Sequence, residues 1–110
     1  MSYAVVISRE AKEDLRSIYA YIAFNLRSPR IRSPQTAQRP ISRIKMATKG
    51  LNNFPKRHRL ANFEPYRSRG LRINSCDNYL IFYFTQESVK EVLISRVLCA
   101  KRNIESALAN

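Results

Sequence analysis

Between Glu91 and Leu98 the chain carries apolar side chains on both sides of an extended backbone: Val92, Leu93, Ile94, Val97 and Leu98. A strand that is apolar on both faces belongs in the middle of a sheet, with cover above and below it. The rest of the chain has to supply its neighbours and that cover. Two further runs have strand character, Arg69 to Ser75 and Asn78 to Phe84. Asp77-Asn78 marks the turn between them, and Gln86-Glu87-Ser88 the turn into the last run. A short β-branched run from Tyr3 to Ser8 opens the chain as another strand.

Helical periodicity follows directly. Ser8 stands where an N-cap is expected, with Glu10 and Glu13 in the first turn to suit the helix dipole. Ala11, Leu15, Ile18, Ile22 and Leu26 then form one buried stripe, with Tyr19 at its margin. Residues 27–31 and 32–36 read as one five-residue unit written twice. Their paired Ser-Pro steps disfavour helix and predict a linker. Ala37, Ile41, Ile44, Ala47 and Leu51 make a second stripe, stopped by Asn52-Asn53-Phe54-Pro55. Pro40 is a difficulty inside that stripe, and the expectation is that it occupies the first turn, where its missing N–H does no harm. Ile104, Ala107 and Leu108 predict a short closing helix. The order is strand, two-helix hairpin, three-stranded antiparallel meander and short helix. The fold class is α+β, one domain over residues 1–110 with the helix pair on one face of the sheet.

Charge supplies the first functional clue. The 110 residues hold 20 Lys plus Arg against 8 Asp plus Glu, a net charge of +12. Solubility of a small domain needs only roughly 2–8 units. Such a surface attracts polyanions, whether nucleic acid, the ribosome or an acidic protein. The basic loop Lys56-Arg57-His58-Arg59 concentrates part of it. Cys76 and Cys99 lack metal-ligand spacing, and one His cannot build a zinc site, so no metal or cofactor is expected. The N-terminus lacks signal-peptide character and no segment is long and apolar enough for a membrane, which predicts a cytoplasmic protein with reduced thiols.

These residues resemble a known family. Tyr3-Ala4-Val5-Val6-Ile7-Ser8-Arg9-Glu10-Ala11-Lys12-Glu13-Asp14-Leu15 is similar to the first strand and helix start of RelE/ParE toxins of type II toxin–antitoxin systems, the plasmid-stabilisation type. Ser33-Pro34-Gln35-Thr36-Ala37 resembles the start of the family's second helix, and Leu51 with Phe54-Pro55 its end. Gly70-Leu71-Arg72, Asn78-Tyr79-Leu80-Ile81-Phe82-Tyr83 and Arg96-Val97-Leu98 with Lys101-Arg102-Asn103 resemble the central hairpin, the last strand and its basic exit. The resemblance implies a growth-inhibiting toxin silenced by a cognate antitoxin, which is expected to be acidic. The pair often regulates its own operator DNA.

The resemblance leaves two mechanisms open. RelE-like toxins cleave mRNA in the ribosomal A site without a metal. That chemistry needs a proton acceptor, a proton donor and cations around the phosphorane. Arg102, His58 and Arg96 are the candidate catalytic residues, with Tyr79 and Tyr83 in reserve. Lys56, Arg57, Arg59, Arg69, Arg72 and Lys101 are candidates for nucleic acid or antitoxin binding. The arginines beside His58 should make it hold its proton less readily, which suits a base, although an exposed basic loop is the plainer role. Against this reading, ribonucleases of the family carry an arginine directly after the central-strand tyrosine, where this chain has Leu80. Leu108 corresponds to their C-terminal tyrosine. ParE-like toxins, which poison DNA gyrase without chemistry of their own, share the aliphatic residue. The expectation is therefore ParE-like binding, with RNA cleavage as the alternative. Cys99-Ala100, where the family has an aromatic or His followed by Gly, leaves a degenerate antitoxin- or operator-binding module as a third reading.

Overall fold

A computed structural model describes residues 2–25, 34–101 and 104–109, with the side chains of 23–25, 34–39, 105 and 109 left out of the description. Leu26, the first copy of the Ser-Pro unit and Arg102 lie outside the described residues. Four strands, β1 (Ala4–Ile7), β2 (Arg72–Cys76), β3 (Tyr79–Gln86) and β4 (Glu91–Cys99), form one sheet in the order β1-β4-β3-β2. β4 is central, as its two apolar faces predict. It runs parallel to β1 and antiparallel to β3.

Each face of the sheet has its own apolar cluster. On the first, α1 (Arg9–Asn25) and α2 (Pro34–Lys49) bring Ala11, Leu15, Ile41 and Ile44 onto Ile81, Tyr83, Val92, Ile94 and Val97. On the second, α3 (Tyr66–Arg69) and α4 (Ile104–Ala109) help to cover Leu71, Ile73, Phe82 and Leu98. Each large side chain taken fully out of water contributes ~1.5–3 kcal/mol. Both faces of the central strand are thereby used.

The phase of the apolar pattern breaks inside β4. Ile94 lies opposite Tyr83, but Arg96 lies opposite Phe82, so Ser95 is an extra residue in a β-bulge. The bulge is why Val92, Ile94 and Val97, spaced by two and then three, all reach the same cluster. It also receives the start of α1. Ser8 Oγ donates to the Ser95 carbonyl at 2.9 Å and accepts the Ala11 N–H at 3.1 Å, so one side chain caps the helix and docks it. One turn on, Asp14 takes the Val97 N–H at 3.0 Å and the Arg96 guanidinium at 2.7 and 3.0 Å.

Three expectations need correction. α2 begins at Pro34, so Pro40 is its seventh residue and not part of its first turn. Residues 34–36 are helical, where the Ser-Pro steps predicted a linker and the family resemblance placed the start of the second helix. Proline is well suited to begin a helix, and the burial of Ile41 and Ile44 carries the helix past the hydrogen bond that Pro40 cannot make. Arg69 ends α3 and does not open a strand. Gly70, at φ +85°, turns the chain there in the left-handed region, and the Gly70 and Leu71 N–H groups close on the Arg67 and Tyr66 carbonyls. Leu51 is buried as expected, but on a 3-10 turn (Gly50–Asn52) after α2 has ended.

The Asp14–Arg96 pair is only 13% and 19% exposed. Asp14→Ala leaves a guanidinium and the Val97 N–H without their acceptor. It should destabilise the fold by about 2–4 kcal/mol in urea titration. Glu13→Ala, which removes an exposed pair with Arg9 at 3.5 Å, should change stability by no more than about 0.5 kcal/mol. Equal effects would mean that the Asp14 junction does not hold α1 to the sheet.

Candidate functional site

The basic segment 56–59 is built into the fold by donors from three directions. A 3-10 turn, Pro55–Arg57, follows Phe54, whose φ of +49° is left-handed. Arg57 reaches back to the Asn53 carbonyl at 2.6 Å and the Gly50 carbonyl at 3.4 Å. Arg72, from β2, donates to the carbonyls of Lys56 at 3.1 Å and His58 at 2.7 Å. The Tyr83 hydroxyl, from β3, donates to the Pro55 carbonyl. Beyond these, Ile73 N–H bonds the Arg59 carbonyl at 3.0 Å and Ala61 N–H that of Leu71 at 2.8 Å, so the segment continues along the outer edge of β2.

The sequence candidates therefore divide. Arg57 and Arg72 are engaged by backbone carbonyls, and Lys56 pairs with Glu87 at 2.9 Å. The side chains of Arg59, Arg69 and Lys101 are exposed and form no hydrogen bond or ion pair among the described residues. Arg96 is held by Asp14 and also donates to the Ala107 carbonyl at 3.2 Å. His58, Arg57, Arg72 and Tyr83 come together beside β2 and β3. Arg96 stands apart from them and shares a cavity of about 260 Å³ with Arg69, Tyr66, Phe84 and Leu108.

His58 and Tyr83 are both shifted from their ordinary chemistry. The His58 Nε2 is buried and has no hydrogen-bond partner among the described residues, and its ring lies edge-on to that of Tyr83, centroids 6.3 Å apart. Burial, then Arg57, then Arg72 push the His58 pKa below the ordinary 6.5. Burial drives Tyr83 the other way, up to about 12, with Arg72 and Arg57 opposing. At neutral pH this is an uncharged imidazole beside a locked phenol. The Tyr83 proton is committed to Pro55, so the pair does not form a proton relay.

Two features escaped the sequence reading. Asp14 was visible in the Ala-x-x-Asp-Leu start but carried no sign that it would hold β4. The other is a cavity of about 440 Å³ between Tyr3, Phe54, Pro55, Lys56, Arg57 and Lys90. Its parts come from three distant stretches of chain, and Phe54 read only as part of a helix stop.

Residues 5–104 match the family described as ParE toxin of type II toxin-antitoxin system, parDE. The chain belongs to the ParE toxin family. Solved structures of low sequence identity share the ParE-like fold. One is the chromosomal ParDE toxin–antitoxin system from P. aeruginosa, with TM-score 0.69 and 19% identity over 89% of this chain and 96% of the other. A second is the toxin–antitoxin complex RelBE2 from Mycobacterium tuberculosis, with TM-score 0.60 and 17% identity over 90% and 99%. A third is an arginine-to-alanine double mutant of E. coli toxin RelE in the free state, with TM-score 0.59 and 11% identity over 97% and 93%. No curated protein sequence matches the chain.

The lone histidine of this ParE-family chain makes its titration directly readable. The imidazole signal in a proton NMR titration should have its midpoint below 6.5. In the unfolded chain the same group takes up its proton first as pH falls. Stability should therefore decline from about pH 6.5 down to the folded midpoint and level off below it. His58→Gln should flatten that stretch of the stability profile. A midpoint at or above 6.5 would contradict the buried, uncharged state.

Proposed function

We propose that this type II toxin works in the ParE manner, binding and disabling DNA gyrase, and that an acidic antitoxin silences it. One observation carries the reading. Leu80 and Leu108, which stand where ribonucleases of the superfamily have a cation and a tyrosine, both pack against the same second-face cluster as Phe82, Leu98 and Ala107. An apolar surface there can neither hold a phosphate nor move a proton. The engagement of Arg57, Arg72 and Arg96 within the fold points the same way, because a phosphorane needs cations free to close on it. The protein then acts through a docking surface in the cytoplasm, where its target is. With its antitoxin bound, the complex sits on operator DNA.

RNA cleavage at the ribosome is the second reading, and the cavity shared by Arg69 and Arg96 is what favours it. The two readings part in one experiment. Purified protein should inhibit supercoiling by DNA gyrase and leave mRNA on translating ribosomes uncut. Arg102→Ala should keep its gyrase inhibition within about twofold, because this reading gives Arg102 no chemistry. Ribosome-dependent cleavage lost in Arg102→Ala, with gyrase untouched, would replace the ParE-like reading by the ribonuclease one. Inactivity in both assays, in a protein that still binds its antitoxin, would leave a degenerate module.

A further inference from the structure

The 440 Å³ cavity lies outside both readings of the toxic activity, and its construction is specific. Phe54 is 80% exposed, a large apolar ring in water at a left-handed backbone position. Non-glycine residues adopt that conformation only where the surroundings enforce it. Here the enforcement is visible. Arg57 holds the carbonyls of Gly50 and Asn53 on one side, and Tyr83 and Arg72 hold those of Pro55 and Lys56 on the other. The turn is rigid, and what it presents is the Phe54 ring.

Around that ring sits a charge cluster with one carboxylate at its centre. Glu87 accepts from the Tyr3 hydroxyl at 3.0 and 2.8 Å and pairs with Lys56 at 2.9 Å and Lys90 at 3.3 Å. These contacts hold its carboxyl down to a pKa of about 2. Lys90 also lies 5.3 Å from the centre of the Tyr3 ring. Both lysines remain about half exposed, so a second carboxylate can reach them. Glu87 thus shows within the chain the contact that an incoming carboxylate would make.

We propose that this cavity is an anchoring pocket for the antitoxin. It takes an apolar side chain of an acidic segment against Phe54, Pro55 and Tyr3, and that segment's carboxylates on Lys56 and Lys90. The inference rests on the toxin–antitoxin reading above and adds the place of contact. Three properties select this occupant. The walls are mainly apolar, so burial of one or two side chains drives binding. A prearranged aromatic ring loses little freedom when it is covered. A chain of net charge +12 steers an acidic segment toward a cationic rim. A nucleic-acid strand fits less well. A base stacked on Phe54 needs free cations beside it for its phosphates. Here Arg57 is turned to the backbone, which leaves Lys56 and Lys90 as the cations of the lining and no run of charge to follow a phosphate backbone.

The test is calorimetric titration of the purified cognate antitoxin into wild-type protein, Phe54→Ala and Glu87→Gln, with a fluorescein-labelled twenty-mer of thymidylate as the competing probe. Phe54→Ala should weaken antitoxin binding by about tenfold or more. Glu87→Gln should tighten it by about threefold, because it removes the competing carboxylate. A gain of affinity is not what damage to the fold produces, and thermal midpoints of both variants should stay near that of wild type. Antitoxin binding within twofold of wild type in both variants would overturn the pocket and leave the toxin–antitoxin reading standing. Loss of oligonucleotide binding in Phe54→Ala with antitoxin binding intact would make the cavity a nucleic-acid site and overturn the proposal. Failure of the antitoxin to bind wild type would remove the functional reading itself.

Discussion

Asp14 holds together two elements that nothing else joins as tightly. Its carboxylate accepts from the Arg96 guanidinium on one side and the Val97 N–H on the other, so it satisfies a backbone donor of β4 beyond Ile94, the last residue that pairs with β1. The pairing matters because β4 is central. The bulge sits in this inner strand, opposite β3 and just past the last pair with β1. Without the extra residue, Val97 would leave the cluster that contains Val92 and Ile94. Past the end of the β1 pairing the Val97 N–H needs a partner, and α1 supplies one. Ser8 and Asp14 therefore set where the helix layer lies, and the helix layer in turn covers the first face.

The same economy governs the cations. A count of +12 suggests a surface of free basic groups, but the arginines fall into two sets. Arg57, Arg72 and Arg96 are directed at carbonyls or a carboxylate of the protein itself. A guanidinium offers five donors in a fixed fork, so one arginine can hold two carbonyls of an irregular segment that has no ladder to join. That is how a stretch with four consecutive basic-type residues becomes a rigid loop. Arg59, Arg69 and Lys101 remain as exposed charge.

Much of the fold was legible in the sequence because it rests on local periodicity. The apolar stripes of α1 and α2, the turn at Asp77-Asn78 and the two-faced run of β4 all report short-range geometry, and the order read from them is that of the RelE/ParE family. The start of α2 was misread because a proline penalty was weighed without the burial of Ile41 and Ile44, which is a tertiary quantity. Arg69 was placed in a strand because a single glycine two-thirds of the way along the chain does not announce a left-handed helix end. The bulge could have been read: apolar residues at 92, 94 and 97 break a period of two by one position. The site was less legible. His58 was singled out, but its buried Nε2 depends on Tyr83 and Arg72, which lie 25 and 14 positions away. The Tyr3, Phe54 and Glu87 group has no sequence signature, since its members meet only when β1, the end of α2 and the β3–β4 turn converge.

The two faces of the sheet bear differently on the target. The first is filled by the helix pair, with a cavity of about 340 Å³ left where Ile18 and Tyr21 of α1 meet Tyr79, Val97 and Cys99. The second is closed more thinly, by two short helices and a loop. In this chain Leu80 and Leu108 turn that region apolar, and Ala107 is 6% exposed against it. An arginine at position 80 alone would put a cation beside Leu71, Phe82 and Leu98 and leave Leu108 apolar. The change from one mechanism to the other is thus not one substitution deep. A catalytic second face needs a polar, solvent-reaching floor, and a face that binds without chemistry can be packed like the rest of the core.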